Sequence, residues 1–164
     1  PVSPFKGELD SLIEIAQLAY TLGVPGYAPI EWFESMRTHG RVLWWEDSRK
    51  IISVQFSSTV WPYLSADERR DVILHEAAHT KTLGHNHDHV WKATYRAMGG
   101  TGNRMADALP LDVQERISKW RGTCPNGHVI YRGRLTRKAR TRSCGICCPN
   151  KYNHALQFTW RQLR

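Results

Sequence analysis

The segment His75-Glu76-Ala77-Ala78-His79 sets two histidines four residues apart, with a carboxylate beside the first. On an α-helix such a pair projects from one face, where both imidazoles can hold a single zinc ion. Glu76 then lies about 100° around the helix. From there its carboxylate can take a proton from water activated by the metal and pass it to a leaving amine. Five of the eight histidines fall between His75 and His89, so His85, His87 and His89 are all near enough to supply a third ligand. The plainer reading, two surface histidines on a helix, is weakened by small residues at Ala77 and Ala78, which allow close packing, and by that third histidine at short range.

A second set of metal-type residues follows. All four cysteines (Cys124, Cys144, Cys147 and Cys148) lie in the last part of the chain, and Cys144-Gly145-Ile146-Cys147 is a CxxC pair. A structural metal is favoured over disulfides, because no secretory signal is evident, and over a redox role, because no βαβ pattern accompanies the pair. From Arg116 to Arg164 there are twelve Lys and Arg and no Asp or Glu, whereas all fifteen acids lie before Arg116. Such a segment suits a polyanion, since phosphate contacts release counterions. Arg132, Arg134, Arg137, Lys138, Arg140 and Arg142 are the candidate nucleic-acid-binding residues, and some would share a face if Tyr131–Arg142 formed a hairpin. Tyr131, Tyr152, Phe158 and Trp160 could stack on bases, although for each a place in a small core is the stronger expectation. No base-reading motif is visible, so binding to DNA is expected to be independent of sequence. The bland alternative for the charge is a solvated tail.

The elements that must position these residues are legible from periodicity. Leu9, Leu12, Ile13, Ala16 and Ala19 form the apolar stripe of a first helix, which Gly23 and Pro25 stop. Strands are expected at 30–33, 41–45 and 50–57, the last two joined as a hairpin by Glu46-Asp47-Ser48-Arg49. Ser65-Ala66-Asp67-Glu68 has capping-box spacing, predicting a helix from Ser65 toward Leu83 with Gly84 as its end signal. Further helices are expected at 88–98, with Val90, Trp91, Thr94, Ala97 and Met98 inward, and at 110–120, with Val113, Ile117 and Trp120 inward. The composition changes after Gly122, placing the domain boundary near residue 121, with 1–121 as the core and 122–164 as the basic appendage.

The run His87-Asp88-His89-Val90-Trp91-Lys92 resembles the SprT/Spartan family, in which HExxH is followed by a histidine and, four positions after it, an aromatic residue opening the next helix. Leu74-His75-Glu76 and Ala93-Thr94-Tyr95-Arg96-Ala97-Met98-Gly99 fit the same pattern, which covers much of the chain before Gly100. The resemblance implies an α+β zincin-like core, with helices packed on a small antiparallel sheet. It further implies His75, His79 and His87 as zinc ligands and Glu76 as the catalytic base. His85, six residues after His79 as in metzincins, is the runner-up ligand, although Thr82 stands where that pattern has glycine. His89 is expected on the next helix as a hydrogen-bonding neighbour of the site. The family often carries a zinc ribbon after its core. Here Cys124-Pro125-Asn126-Gly127-His128 and Cys144-Gly145-Ile146-Cys147 would be its knuckles, with His128 replacing a cysteine at changed spacing and Cys148 and His154 as alternative ligands. Such a closed Cys₃His site would be structural and would supply folding free energy to the appendage.

The activity so implied is that of a DNA-dependent zinc endopeptidase cleaving proteins held on DNA, as in repair of DNA–protein crosslinks. It would use one catalytic and one structural Zn²⁺. The polypeptide substrate would lie extended along a sheet edge, the strand at 52–56 being the candidate. Two other functions fit the residues: a zinc-stabilised nucleic-acid-binding protein whose HExxH site is inert, and a metal hydrolase of a non-protein substrate. Retention of Glu76 between the two histidines speaks against the first. With 164 residues, 41% hydrophobic and 23% charged, the chain is sized for one core and a small appendage, not a large multidomain machine. No run approaches the roughly 18 apolar residues of a membrane span, and no apolar stretch follows Lys6, so an intracellular protein of a bacterium or a phage-infected cell is expected.

Overall fold

Helix α1 (Pro4–Thr21) buries Ile15 and Ala19, while Ile13 is 51% exposed. The buried stripe is therefore rotated away from Ile13, and the side chain of Leu9 lies outside the described residues. The computed structural model describes residues 4–104 and 108–164, residues 4–10 by their backbone alone. Gly23, at φ +110°, turns the chain out of α1 in a conformation that favours glycine.

Three strands follow, β1 (Ile30–Phe33), β2 (Gly40–Trp44) and β3 (Ile51–Ser57), in the order β1-β3-β2. The expected hairpin is present as the antiparallel pair β2–β3, with Arg49 at φ +52° in its turn. β1, however, runs parallel to β3, so the sheet is mixed and not antiparallel. β3 is its centre, which accounts for a strand buried at six of its seven positions. Being paired on both sides, the segment 52–56 offers no edge, whereas β2 is an edge strand.

Ser65 caps helix α2 (Ala66–Lys81) with the full capping box: its side chain accepts from the Glu68 N–H, and the Glu68 carboxylate accepts from the Ser65 N–H. Asp88 caps helix α3 (His89–Ala97), accepting from the N–H groups of Val90 and Trp91. α2 and α3 pack through Leu74, Ala78, Trp91 and Tyr95, with Leu22 and Met98 against them. Tyr95 was not among the expected inward residues, although it stands one turn from Trp91 on the same face. Its ring fills the space beside Gly100, where an added Cβ would meet Tyr95 Cε2 at 1.9 Å.

The chain divides into two compact units, Pro1–Asp107 and Ala108–Arg164. The division falls before residue 121 because Trp120 belongs to a strand of the second unit and not to the end of a helix. Helix α4 (Leu111–Ile117) stops at Ser118, and β4 (Trp120–Thr123) is the central strand between β5 (Val129–Arg132) and β6 (Thr159–Gln162), both antiparallel to it. The segment after Arg132 is not a hairpin. Thr136 accepts from the Ala139 N–H and caps a single helical turn, α5 (Arg137–Arg140), because that stretch has no alternating apolar residues with which to pair. Cys124, Cys144 and Phe158 form the second unit's core, with Ile130, Cys147 and Trp160 packed around them. The chain is thus an α+β protein, and no described helix is long and apolar enough to cross a membrane.

Candidate metal centres

His75 and His79 stand one turn apart on α2, and the segment after the helix folds back to add a third imidazole. Thr82 ends the helix, its hydroxyl donating to the Ala78 carbonyl at 2.7 Å. Gly84 at φ +90° and His87 at φ +58° then reverse the chain. A histidine in the left-handed region is uncommon and is held there by its surroundings. The result brings His87 Nε2 to 3.1 Å from His75 Nε2 and 3.0 Å from His79 Nε2. Three ring nitrogens this close cannot all satisfy one another by hydrogen bonds, and one cation between them would take all three lone pairs. The donor set is compatible with zinc.

His85 is not in this group. Its Nδ1 lies 2.7 Å from Asp88 Oδ2, the carboxylate that caps α3, so the six-residue offset does not deliver it to the ligand set. His89 occupies the first position of α3 and is exposed, away from the expected role beside the ligands.

Trp91, buried to 1% exposure, is the floor of the site. Its ring lies 4.7 Å from His75 and 4.6 Å from His87, each edge to face, and stacks on His79 at 5.2 Å. Burial holds the His75 pKa down at about 3 and that of His79 at about 4. Both are therefore neutral near pH 7, the form that binds a metal. Glu76 is buried on the neighbouring face, and desolvation raises its pKa to about 8. Gly40 of β2 makes room for that carboxyl: a Cβ there would come within 2.7 Å of Glu76 Oε1. Sequence reasoning had no signal for Gly40, since the contact joins residues distant in the chain. One turn before His75, Asp71 accepts from both the N–H and the hydroxyl of Thr101 at 3.1 and 3.2 Å, fastening the segment after α3 to α2.

The histidines and Glu76 open into a cleft of about 410 Å³ whose facing wall is the edge strand β2. The arrangement combines three metal-type donors, a buried carboxyl and unpaired strand edge in one space. Chemically it is suited to activating water against a substrate laid along β2.

In the second unit Cys124, His128, Cys144 and Cys147 come together. His128 Nδ1 is 3.5, 3.7 and 3.2 Å from the sulfurs of Cys124, Cys144 and Cys147. Cys124 and its carbonyl, which accepts from the Gly127 N–H, form one turn, and Cys144, whose carbonyl accepts from the Cys148 N–H, the other. The backbone N–H of Cys147 helps lower the Cys144 thiol to about 7, toward the thiolate a metal requires. This Cys₃His set is likewise compatible with zinc. Cys148 and His154, the alternatives, stand outside it.

Of the basic residues, Arg134, Arg137, Lys138, Arg140 and Arg142 are exposed. They sit on or around α5, Arg137 and Arg140 three residues apart, and not on a hairpin face. Arg132 is half-buried and donates to the Tyr131 carbonyl. Tyr131 and Phe158 are core residues, Trp160 is half-buried, and Tyr152 alone of the four aromatics is largely exposed. Comparison with protein-family models, with curated proteins and with solved structures finds no match to this chain.

Proposed function

We propose that the chain is a zinc-dependent endopeptidase of SprT/Spartan-like type that acts on proteins associated with DNA, as in the repair of DNA–protein crosslinks. The observation that carries this reading is the convergence of His75, His79 and His87 on one point, with the buried Glu76 beside them and an edge strand across the cleft. In this reading the first unit is a zincin-like core and the second a zinc ribbon.

Zinc held by the three histidines would polarise the substrate carbonyl and acidify water. Trp91 keeps the imidazoles in register for that metal. Glu76 removes the proton from the attacking water as its oxygen adds to the peptide carbonyl. It then returns a proton to the amide nitrogen as the C–N bond breaks, so that a carboxylic acid and an amine leave. The apolar burial of Glu76 suits both halves of the cycle, because it moves the carboxyl's pKa from the acid range toward neutral, where one group can both take up a proton and give it back. Edge-strand pairing along β2 captures main chain and is tolerant of sequence. Arg134, Arg137, Lys138, Arg140 and Arg142 of the second unit are the proposed phosphate contacts that bring the enzyme to DNA.

The test is digestion of a basic DNA-binding protein by the zinc-loaded chain, with and without single-stranded or duplex DNA. Cleavage stimulated by DNA and abolished by a chelator is expected. Tight DNA binding with no cleavage under any condition would instead favour a nucleic-acid-binding protein with an inert histidine site. Cleavage of esters alone would favour a hydrolase of another class.

A further inference from the structure

The two walls of the cleft differ in character. Gly40, Val42 and Trp44 alternate along β2 and share the face on which Gly40 meets Glu76. At the end of the strand the register shifts between Leu43 and Trp44. Trp44 pairs with Ile51, and the extra residue, Ile52, is left on β3. The irregularity falls on the central strand, so the alternation of β2 is undisturbed and Trp44 still lines the cleft. Leu83 faces these residues from just beyond the end of α2. Beside it Thr82 also lines the cleft, its hydroxyl committed to the Ala78 carbonyl.

Charge at this end of the cleft is confined to its margin, where the Arg49 guanidinium donates to the Leu83 carbonyl at 3.4 Å. Apart from Glu76 and the histidines, the charged residue among those lining it is Arg41, whose guanidinium is engaged elsewhere. Its Nε donates to Gln55 Oε1 at 2.7 Å, and the group lies 4.3 Å over the Phe33 ring. Gln55 is held in turn by Glu31 at 2.7 Å. With both guanidiniums engaged and Asn86 the remaining polar residue of the lining, an aromatic or branched aliphatic side chain would remove Val42, Trp44 and Leu83 from water along with itself.

Resting on the peptidase reading, we infer that Val42, Trp44 and Leu83 form an apolar subsite that selects a large apolar side chain of an extended peptide beside the bond to be cut. Folded proteins bury such side chains, so the substrate class is locally unfolded polypeptide: segments that are denatured, or loosened by attachment to DNA, and display an aromatic or aliphatic residue. Strand pairing to β2 reads the main chain, and this subsite sets the position of the cut along it.

The experiment uses the zinc-loaded full chain, with single-stranded and duplex DNA present, acting on a reduced and denatured protein mixture whose cut sites are mapped by mass spectrometry. Wild type should show Leu, Ile, Phe, Met or Trp enriched at one fixed position next to the scissile bond. Paired peptides differing there by Phe against Gly should differ at least about tenfold in kcat/KM. Trp44→Ala and, separately, Leu83→Ala should each bring the Phe-to-Gly ratio of kcat/KM toward one while the zinc content is kept, and Trp44→Phe should retain the preference. Cutting by wild type without apolar enrichment, or enrichment unchanged in both alanine variants, would overturn the subsite and leave the peptidase reading standing. Absence of cutting by the zinc-loaded wild type would overturn the peptidase reading, and the subsite with it.

Discussion

The choice among three closely spaced histidines is decided by backbone conformation. His87 takes φ +58° and returns to the α2 face, whereas His85 is tied to Asp88. His87→Ala is therefore expected to lose one zinc per chain in metal analysis, and His85→Ala to keep it. The opposite order would reassign the ligand. Gly40 provides a second residue-scale prediction. In Gly40→Ala the new methyl meets Glu76 Cγ and Oε1 at 2.7 Å, so a buried side chain must shift, which lowers stability and, in the proposed function, moves the base off its line. Peptidase kcat should fall about a hundredfold, the penalty typical of a misplacement near 1 Å, with zinc content retained. Unchanged kcat in a folded, zinc-loaded variant would show that Gly40 serves some other purpose.

At the scale of the element, α2 carries groups that titrate in opposing senses. In the metal-free protein, burial lowers His75 and His79 from 6.5 to about 3 and about 4, and raises Glu76 from 4.5 to about 8. Between about 4.5 and 6.5 the unfolded chain takes up a proton on each of these histidines that the folded protein refuses. That outweighs the single proton the fold keeps on Glu76, so stability falls as pH drops. Well above 6.5 the histidines are neutral in both states, and the proton retained by Glu76 makes stability fall as pH rises toward about 8. His39 and His87, also lowered by burial, add to the acid limb. Urea unfolding of the metal-free first unit across this range should show a maximum between pH 6.5 and about 8, and a monotonic rise toward alkaline pH would contradict the burial of Glu76.

The elements themselves were largely legible in the sequence. Ser65 and Glu68 marked the start of α2, and the β2–β3 hairpin followed from β-branched and aromatic runs flanking a polar turn. Local signals did not extend to pairing. The parallel partnership of β1 with β3, and hence the edge position of β2, depends on contacts between separate segments. The same limit hid Gly40 beside Glu76 and the Thr101–Asp71 clamp. Trp120 was misread because a helical spacing of apolar residues ran on past Ser118, where sheet pairing with Arg132 and Gln162 prevails.

For the whole molecule, charge is divided unevenly between the units, the second holding twelve Lys and Arg against Asp112 and Glu115 alone. Every Asp and Glu of the chain precedes Arg116, and the second unit gathers its exposed arginines around α5. In the proposed function the first unit cuts and the second holds DNA. Neutralising Arg134, Arg137 and Arg140 together should weaken DNA binding and reduce the slope of log affinity against log salt by about 2 to 3, the contribution of three phosphate contacts. The zinc content of both sites should be unchanged. Unaltered affinity and slope in a folded triple variant would move the DNA contact to another surface.

The most direct measurement compares wild type with Glu76→Gln at matched zinc content, assaying cleavage of a DNA-bound basic protein with single-stranded DNA, duplex DNA or none. The substitution preserves the shape of the side chain beside Gly40 and removes only its capacity to carry the proton. Cleavage by wild type that falls at least about a hundredfold in Glu76→Gln, with both zinc ions retained, is the predicted result. Equal cleavage by the two proteins would contradict the assignment of Glu76 as the base and, with it, the reading of the three-histidine site as a hydrolytic centre.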